Sequence, residues 1–270
     1  MMFNFLIYLF IFVFGLICGS FLNCVIYRLA LPSFSLKNLG GLRSRSYCPY
    51  CKHTLALEDL IPIFSFLILR GKCRYCQNPI SWQYPLVELS TAILFLLTYL
   101  SHDRDFSMSL IFYWIFTSFL IIIFVYDLKH YIIPDKIIYP AIAIAFLYRL
   151  FTILNLPAPL EAEGFLMGGF GILPSVFFLA IIIFSRGKWM GLGDFKLAFF
   201  MGLFLGWPKI LVALFLAFLI GAIIGLGLVL SGKKRLQSEV PFGPFLITGT
   251  FISLFWGQNI INWYLNFLII

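Results

Sequence analysis

Two acids stand where acids are costly. Asp127 lies in Tyr126-Asp127-Leu128-Lys129 and Asp194 in Gly191-Leu192-Gly193-Asp194-Phe195-Lys196. Each sits at the edge of an apolar span, in a chain of which only 11% of residues are charged. Hydrocarbon solvates a carboxylate poorly, so an acid at membrane depth marks a functional group by default. Two such acids at one depth can share a proton. The ionised member draws a proton from water, which attacks a peptide carbonyl; the protonated member polarises that carbonyl and then serves the leaving amine. This is the chemistry of an aspartic protease. Gly191 and Gly193 would free the turn before Asp194 and let a substrate backbone come close. Lys196 would snorkel to the headgroups or bias the acid toward ionisation, and His130, three residues after Asp127, could tune that acid. Other readings of the same residues stay open. Asp194, and Asp135 after Pro134, also suit helix N-terminal caps. Acids and a lysine in a membrane also line the ion paths of transporters and channels.

A second cluster consists of thiols. Cys48-Pro49-Tyr50-Cys51 and Cys73-Arg74-Tyr75-Cys76 are two CxxC knuckles separated by 21 residues. Each knuckle turns two sulfurs toward one point, and two knuckles complete a tetrahedron, as in a four-thiolate zinc ribbon. Basic neighbours (Arg43, Arg45, Lys52, Lys72, Arg74) favour thiolates. Four thiolates leave no open position, so the expected zinc is structural. Cys18 and Cys24 are six apart and point to different faces of a helix, as apolar fillers.

The elements that must position these groups are membrane helices. The chain is 62% hydrophobic with 33 Phe, and its mean hydropathy is +1.01, which excludes an ordinary soluble domain. Eight spans are expected, near 2–26, 85–101, 108–126, 137–153, 165–184, 195–206, 209–230 and 243–263. The sixth is short, a half-helix unless it extends upstream through Gly191 and Gly193. Residues 1–27 carry no charge and no basic residues precede the apolar run, so they read as a retained helix and not a signal peptide.

Charge sets the orientation. With the N-terminus outside, sixteen Lys and Arg fall on the cytoplasmic side and three (Arg104, Arg149, Lys209) on the other. That bias accounts for the net charge of +8 without invoking nucleic acid. Asp127 then ends the third span and Asp194 begins the sixth, both on the cytoplasmic side. The expected fold is an all-α polytopic membrane protein of about eight transmembrane helices with a small cytoplasmic zinc-ribbon-like loop domain. Its parts are a first transmembrane helix (1–27), a polar four-cysteine zinc-binding domain (28–84) poor in apolar residues, and a transmembrane aspartic protease bundle (85–270).

The ordered set of motifs resembles the prepilin peptidases, the type IV leader peptidases of pilus assembly and type II secretion. It runs from Gly19-Ser20-Phe21-Leu22-Asn23-Cys24-Val25-Ile26-Tyr27-Arg28-Leu29 through the knuckles, with Leu69-Arg70-Gly71-Lys72-Cys73 between them. Tyr84-Pro85-Leu86-Val87-Glu88, Asp127 with Pro134-Asp135, the GxGDxK run at 191–196 and Pro241-Phe242-Gly243-Pro244-Phe245 follow. GxGD alone also occurs in presenilin-like proteases, which leaves a GxGD protease with other substrates as a neighbouring reading. The resemblance implies a bacterial inner-membrane aspartic protease with Asp127 and Asp194 as its catalytic pair. It implies cleavage of the basic leader of prepilins or pseudopilins between a Gly and a following Phe, then N-methylation of the new terminus with S-adenosylmethionine. The cofactor-binding residues are unknown; Glu88 is a possible participant, and a helix first-turn acid is its other reading. Three positions depart from the family pattern. Lys129 stands where a second Asp is frequent and could act on Asp127; Leu60 replaces an Asn and Gln83 an Arg.

Overall fold

The computed structural model describes residues 2–31, 45–102, 104, 106–154, 160–187, 190–231 and 240–269. The basic residues Lys37, Arg43, Lys188, Lys233, Lys234 and Arg235, used above to orient the chain, lie outside them. The described residues form nine α-helices and a 3-10 turn, with no strand beyond two isolated bridges. The helices are α1 (Met2–Leu29), α2 (Phe64–Ile68), α3 (Gln83–Ser101), α4 (Met108–His130) and α5 (Asp135–Leu154), then α6 (Leu160–Ser185), α7 (Leu192–Leu205), α8 (Lys209–Leu230) and α9 (Gly243–Ile269). All eight expected spans fall on helices. Among the described residues, five helices (α1, α3, α4, α5 and α8) are long and apolar enough to cross a membrane.

The chain divides into two compact units, 1–122 and 123–270. In the first unit α1 packs on α3 through small residues one turn apart. A methyl added to Gly15 would stand 2.5 Å from Ala92 Cα, and one added to Gly19 would stand 2.6 Å from Glu88 Cα. This is the close backbone approach that GxxxG spacing permits between membrane helices. Around the seam, Ile11, Phe95, Tyr99 and Leu110 form a buried cluster. Trp114 of α4 stacks on Phe95 at 5.2 Å and donates its indole N–H to the Phe95 carbonyl at 3.1 Å. At the other end of the seam Asn23 is buried. It donates to the Tyr84 carbonyl at 3.0 Å and accepts from Gln83 at 3.1 Å.

The second unit is built around α7. Its apolar residues run all the way round, because it is buried on every side: Leu197, Ala198 and Phe200 to Leu205 are all buried. It packs against α5, α6, α8 and α9. Gly202 of α7 and Gly171 of α6 meet backbone to backbone. Arg149 of α5 donates to the Leu203 carbonyl at 2.8 Å, partnering a carbonyl at the helix C-terminal end. At 14 residues, α7 is about 21 Å long, against a hydrocarbon core of about 30 Å.

Candidate functional site

Asp127 sits in the last turn of α4, only 4% exposed. The helix ends three residues later, where Tyr131 turns left-handed (φ 58°) and its N–H bonds back to the Asp127 carbonyl at 2.9 Å. Only residues 131–134 separate α4 from α5. That short turn folds back toward the start of α7: buried Ile133 packs against Gly193, whose added methyl would meet Ile133 Cβ at 3.1 Å. Lys196 of α7 then pairs with Asp135 of α5 at 2.6 Å and lies over the Tyr139 ring at 4.7 Å. These contacts hold the end of α4 and the start of α7 at one end of the unit. The two carboxylates lie within electrostatic reach of each other there.

Each acid also takes a backbone N–H from a helix N-terminus. Asp194 occupies the third position of α7, not the cap, and its carboxylate accepts from the Gly191 N–H. This is the reciprocal half of a capping box, without a side chain at the cap to complete it. Asp127 accepts from the N–H of Gly243, the first residue of α9. A methyl added at Gly243 would collide with Asp127 Oδ2. The positive ends of α7 and α9 therefore face the two acids and offset part of the cost of burying charge. The cap reading of Asp194 is met in part. Capping accounts for neither the second acid beside it nor the N–H that Gly243 brings to that second acid.

The neighbouring expectations fare unevenly. Lys196 is engaged by Asp135 and Tyr139, which leaves its effect on Asp194 indirect. Lys129 is exposed two positions along α4, rotated to the far side from Asp127. His130 is exposed with its ring on Tyr126 at 4.4 Å. Gly191 has φ −80°, a conformation open to any residue, so it supplies no special turn. It is exposed, and among the described residues a carbon added to it would meet nothing nearer than the Gly193 nitrogen at 3.9 Å. Sequence reasoning missed Gly243 as a partner of Asp127. Its motif was visible, but no spacing rule links residues 116 positions apart.

In the first unit the four cysteine sulfurs lie within 4.8 Å of one another. Cys48 Sγ is 3.8 Å from Cys76 Sγ, the edge of about 3.8 Å that a tetrahedron with ~2.3 Å zinc–sulfur bonds requires. All six cysteines are free thiols. The two knuckles repeat one another. The N–H of residue Cys48 or Cys73 bonds to the carbonyl five residues on (His53 or Asn78), and its own carbonyl accepts from the N–H four residues on (Lys52 or Gln77). Lys52 and Gln77 both take a left-handed turn, φ 60° and 59°. The N–H of Asn78, with its side chain, draws the Cys76 thiol down to about 6. The donor set and spacing fit one metal ion with no open position.

Asp59 ties this knuckle pair to the preceding turn. It accepts from Arg74 at 2.8 Å, Tyr75 at 3.2 Å and the Ala56 N–H at 3.2 Å. Burial pushes its carboxyl up, but Arg74 and the Ala56 N–H outweigh this and hold it below the usual carboxylate range. Glu88 is buried and already engaged: it accepts the Ile63 N–H at 2.8 Å and a bond from Ser20. Such a carboxylate fits a structural anchor.

Fold and site together define a polytopic α-helical membrane protein with one buried and one half-buried acid at one end of a helical unit and a four-cysteine loop that could hold a metal ion. Family models match on both sides of the chain: the Bacterial Peptidase A24 N-terminal domain over residues 13–102, and the Type IV leader peptidase family over 114–226. A relative from Aeromonas hydrophila, named Prepilin leader peptidase/N-methyltransferase, is 34% identical over 287 residues, spanning 96% of this chain and 94% of its own. Relatives of the same name from Legionella pneumophila (33%, spanning 96% and 95%) and Bacillus subtilis (34%, spanning 95% and 97%) agree. No solved structure matches significantly. The chain belongs to the type IV leader peptidase family.

Proposed function

We propose that this protein is an aspartic endopeptidase that removes the basic leader from type IV prepilins or type II secretion pseudopilins. Asp127 and Asp194 act as its catalytic pair. The observation that supports the reading is their placement: two acids 67 positions apart lie within electrostatic reach at one end of a helical unit, each with one backbone N–H. Two carboxylates so placed share a proton, and they titrate as a pair. The ionised member takes a proton from a water that attacks the scissile carbonyl. The protonated member holds the carbonyl oxygen and afterwards protonates the leaving amine. The open space over Gly191 admits an extended substrate backbone. A basic leader suits an acidic centre electrostatically. Transport through the acids is not favoured, since the family and the named relatives are peptidases.

In this reading the cysteines bind zinc as a staple for the loop segment, which supplies folding energy and no reacting group. We also propose the domain division read from the sequence: a first helix at 1–27, a metal-stapled segment at 28–84 and a protease bundle at 85–270. The membrane is the bacterial inner membrane, with the N-terminus outside and both the knuckles and the acid pair at the cytoplasmic face, as the loop charges require. Methylation of the new N-terminus with S-adenosylmethionine extends to this chain the second activity in the relatives' names. Mass spectrometry of a candidate prepilin, incubated with enzyme and S-adenosylmethionine, tests both activities at once. The expected product starts at the residue after a Gly and carries one added methyl. An uncut prepilin defeats the protease reading; a cut, unmethylated one defeats only the second activity.

A further inference from the structure

The segment between the knuckles departs from the expectation of a polar loop. Leu60-Ile61-Pro62-Ile63-Phe64-Ser65-Phe66-Leu67-Ile68-Leu69 holds one polar side chain in ten residues. Apart from buried Phe66, the described residues leave much of it uncovered. Ile61 is 48% exposed, Phe64 60%, Leu67 63% and Ile68 74%. Such a patch on a water-facing loop would be a liability.

Its depth can be read from one hydrogen bond. The Ile63 N–H meets the Glu88 carboxylate at 2.8 Å, and Glu88 lies six residues beyond Trp82, the N-cap of α3, or about 9 Å along the helix axis. With 19 residues, α3 is about 28 Å long, so a hydrocarbon core of about 30 Å uses all of it. The chain at Ile63 thus runs beside the first turns of a membrane span, inside the headgroup plane. The exposed stripe of α3 (Trp82, Leu86, Leu89, Ile93) repeats every three or four residues, as a lipid face does. Trp82 joins that stripe to the patch, its ring 4.9 Å from Phe66 of α2.

The backbone is suited to such a place. Ser65, Leu67 and Leu69 donate to the carbonyls of Ile61, Ile63 and Ser65 at 3.1, 3.0 and 2.9 Å, and Phe64 donates to Pro62 at 2.6 Å. These four donors are thus paired within the segment, which lowers the cost of entering hydrocarbon. Left-handed residues stand at both ends, Ile63 (φ 60°) and then Arg70 and Gly71 (φ 51° and 69°). They turn the chain in and back out. A β-branched residue takes that conformation only when its surroundings hold it there, and the Glu88 bond does so here. Exposed Arg70 and Lys72 follow at the rim, where lipid phosphates lie.

We infer that residues 61–68 are seated in the lipid leaflet beside the start of α3, so that the metal-binding segment is a membrane-anchored platform and not a free aqueous loop. The occupant of the patch is the bilayer, with Arg70 and Lys72 on anionic headgroups. The inference does not depend on the proteolytic reading. It is tested with the full chain in proteoliposomes of phosphatidylethanolamine and phosphatidylglycerol, carrying an encoded dansyl side chain at Leu67, at Ile68 or, as control, at Leu57 on the outer 3-10 turn (86% exposed). Nitroxide lipids should quench positions 67 and 68 several-fold more than 57, with a depth of about 5–10 Å below the headgroups. Iodide in the water should do the reverse. Retained metal content and helicity qualify each labelled chain, and Phe64 is the alternate site if either label fails this check. Equal nitroxide quenching at 57 and 68 overturns the inference. So does a dansyl blue shift at 68 that arises only on adding prepilin, which would give the face to the substrate.

Discussion

The N–H of Gly243 donates to the carboxylate of Asp127, and the carbon that any larger residue would add at 243 collides with that same carboxylate. One residue at the head of α9 both supports the acid and leaves it room. Gly243→Ala should therefore move Asp127 without emptying any core position. A displacement of roughly 1 Å at a reacting group can cost about 100-fold, so leader cleavage should fall by about 10- to 100-fold in kcat/KM. Thermal unfolding in detergent should change little. Normal cleavage by a well-folded Gly243→Ala protein would contradict the placement.

The two glycines of the GxGD run should part company. Gly193 is packed on Ile133 Cβ, which a methyl added at 193 would meet at 3.1 Å, so Gly193→Ala should destabilise the protein by about 1–3 kcal/mol through overpacking. Gly191 faces open space with an ordinary φ. Gly191→Ala should keep full stability and lose activity, chiefly as a raised KM, because its methyl occupies the approach of the substrate backbone. Unfolding curves beside cleavage kinetics for both variants check this.

Lys196 is bound to Asp135. The pair is partly solvated, and such pairs contribute little. Lys196→Met should lower cleavage by less than about 5-fold and leave the shape of the pH–rate profile unmoved. A displaced profile would mean that the ammonium acts directly on the acid pair.

Metal retention in the knuckle segment should depend on Asp59. Its carboxyl is held below its unfolded value of about 3.9. The sign follows: its contribution is complete above that value and is lost as pH falls through the lower folded value. Asp59→Asn should speed chelator-driven metal loss by about 2- to 5-fold, with the same ratio at pH 7 and pH 5.5, since Asp59 stays ionised at both. A ratio that vanishes at pH 5.5 would contradict the assignment. Cys48→Ser should lose the metal outright.

The sequence revealed parts of this protein very unequally. Both knuckles could be read because a CxxC turn is local, and its ligand geometry follows from four residues. Helix positions could be read from hydropathy alone. The start of α7 was legible only as two alternatives, a half-helix led by Asp194 or an extension upstream through Gly191 and Gly193; its all-round apolar face reports burial among four helices and gives no boundary, and the helix begins at Leu192 with Asp194 third. The run at 60–69 was hidden inside a segment dominated by its charges. Partnerships across the fold (Gly243 with Asp127, Glu88 with Ile63, Lys196 with Asp135) were out of reach, because they depend on which helix ends share a depth and a face.

The central claim is that Asp127 and Asp194 act as one proton-sharing unit. Asparagine matches aspartate in shape and cannot carry the charge. Asp127→Asn, Asp194→Asn and the double variant should be assayed for prepilin leader cleavage in proteoliposomes, with expression and unfolding monitored. Each single variant should lose cleavage by at least ~1,000-fold, and the double variant should be no worse than either, as expected for residues that work as a unit. Substantial cleavage by either single variant would contradict the claim.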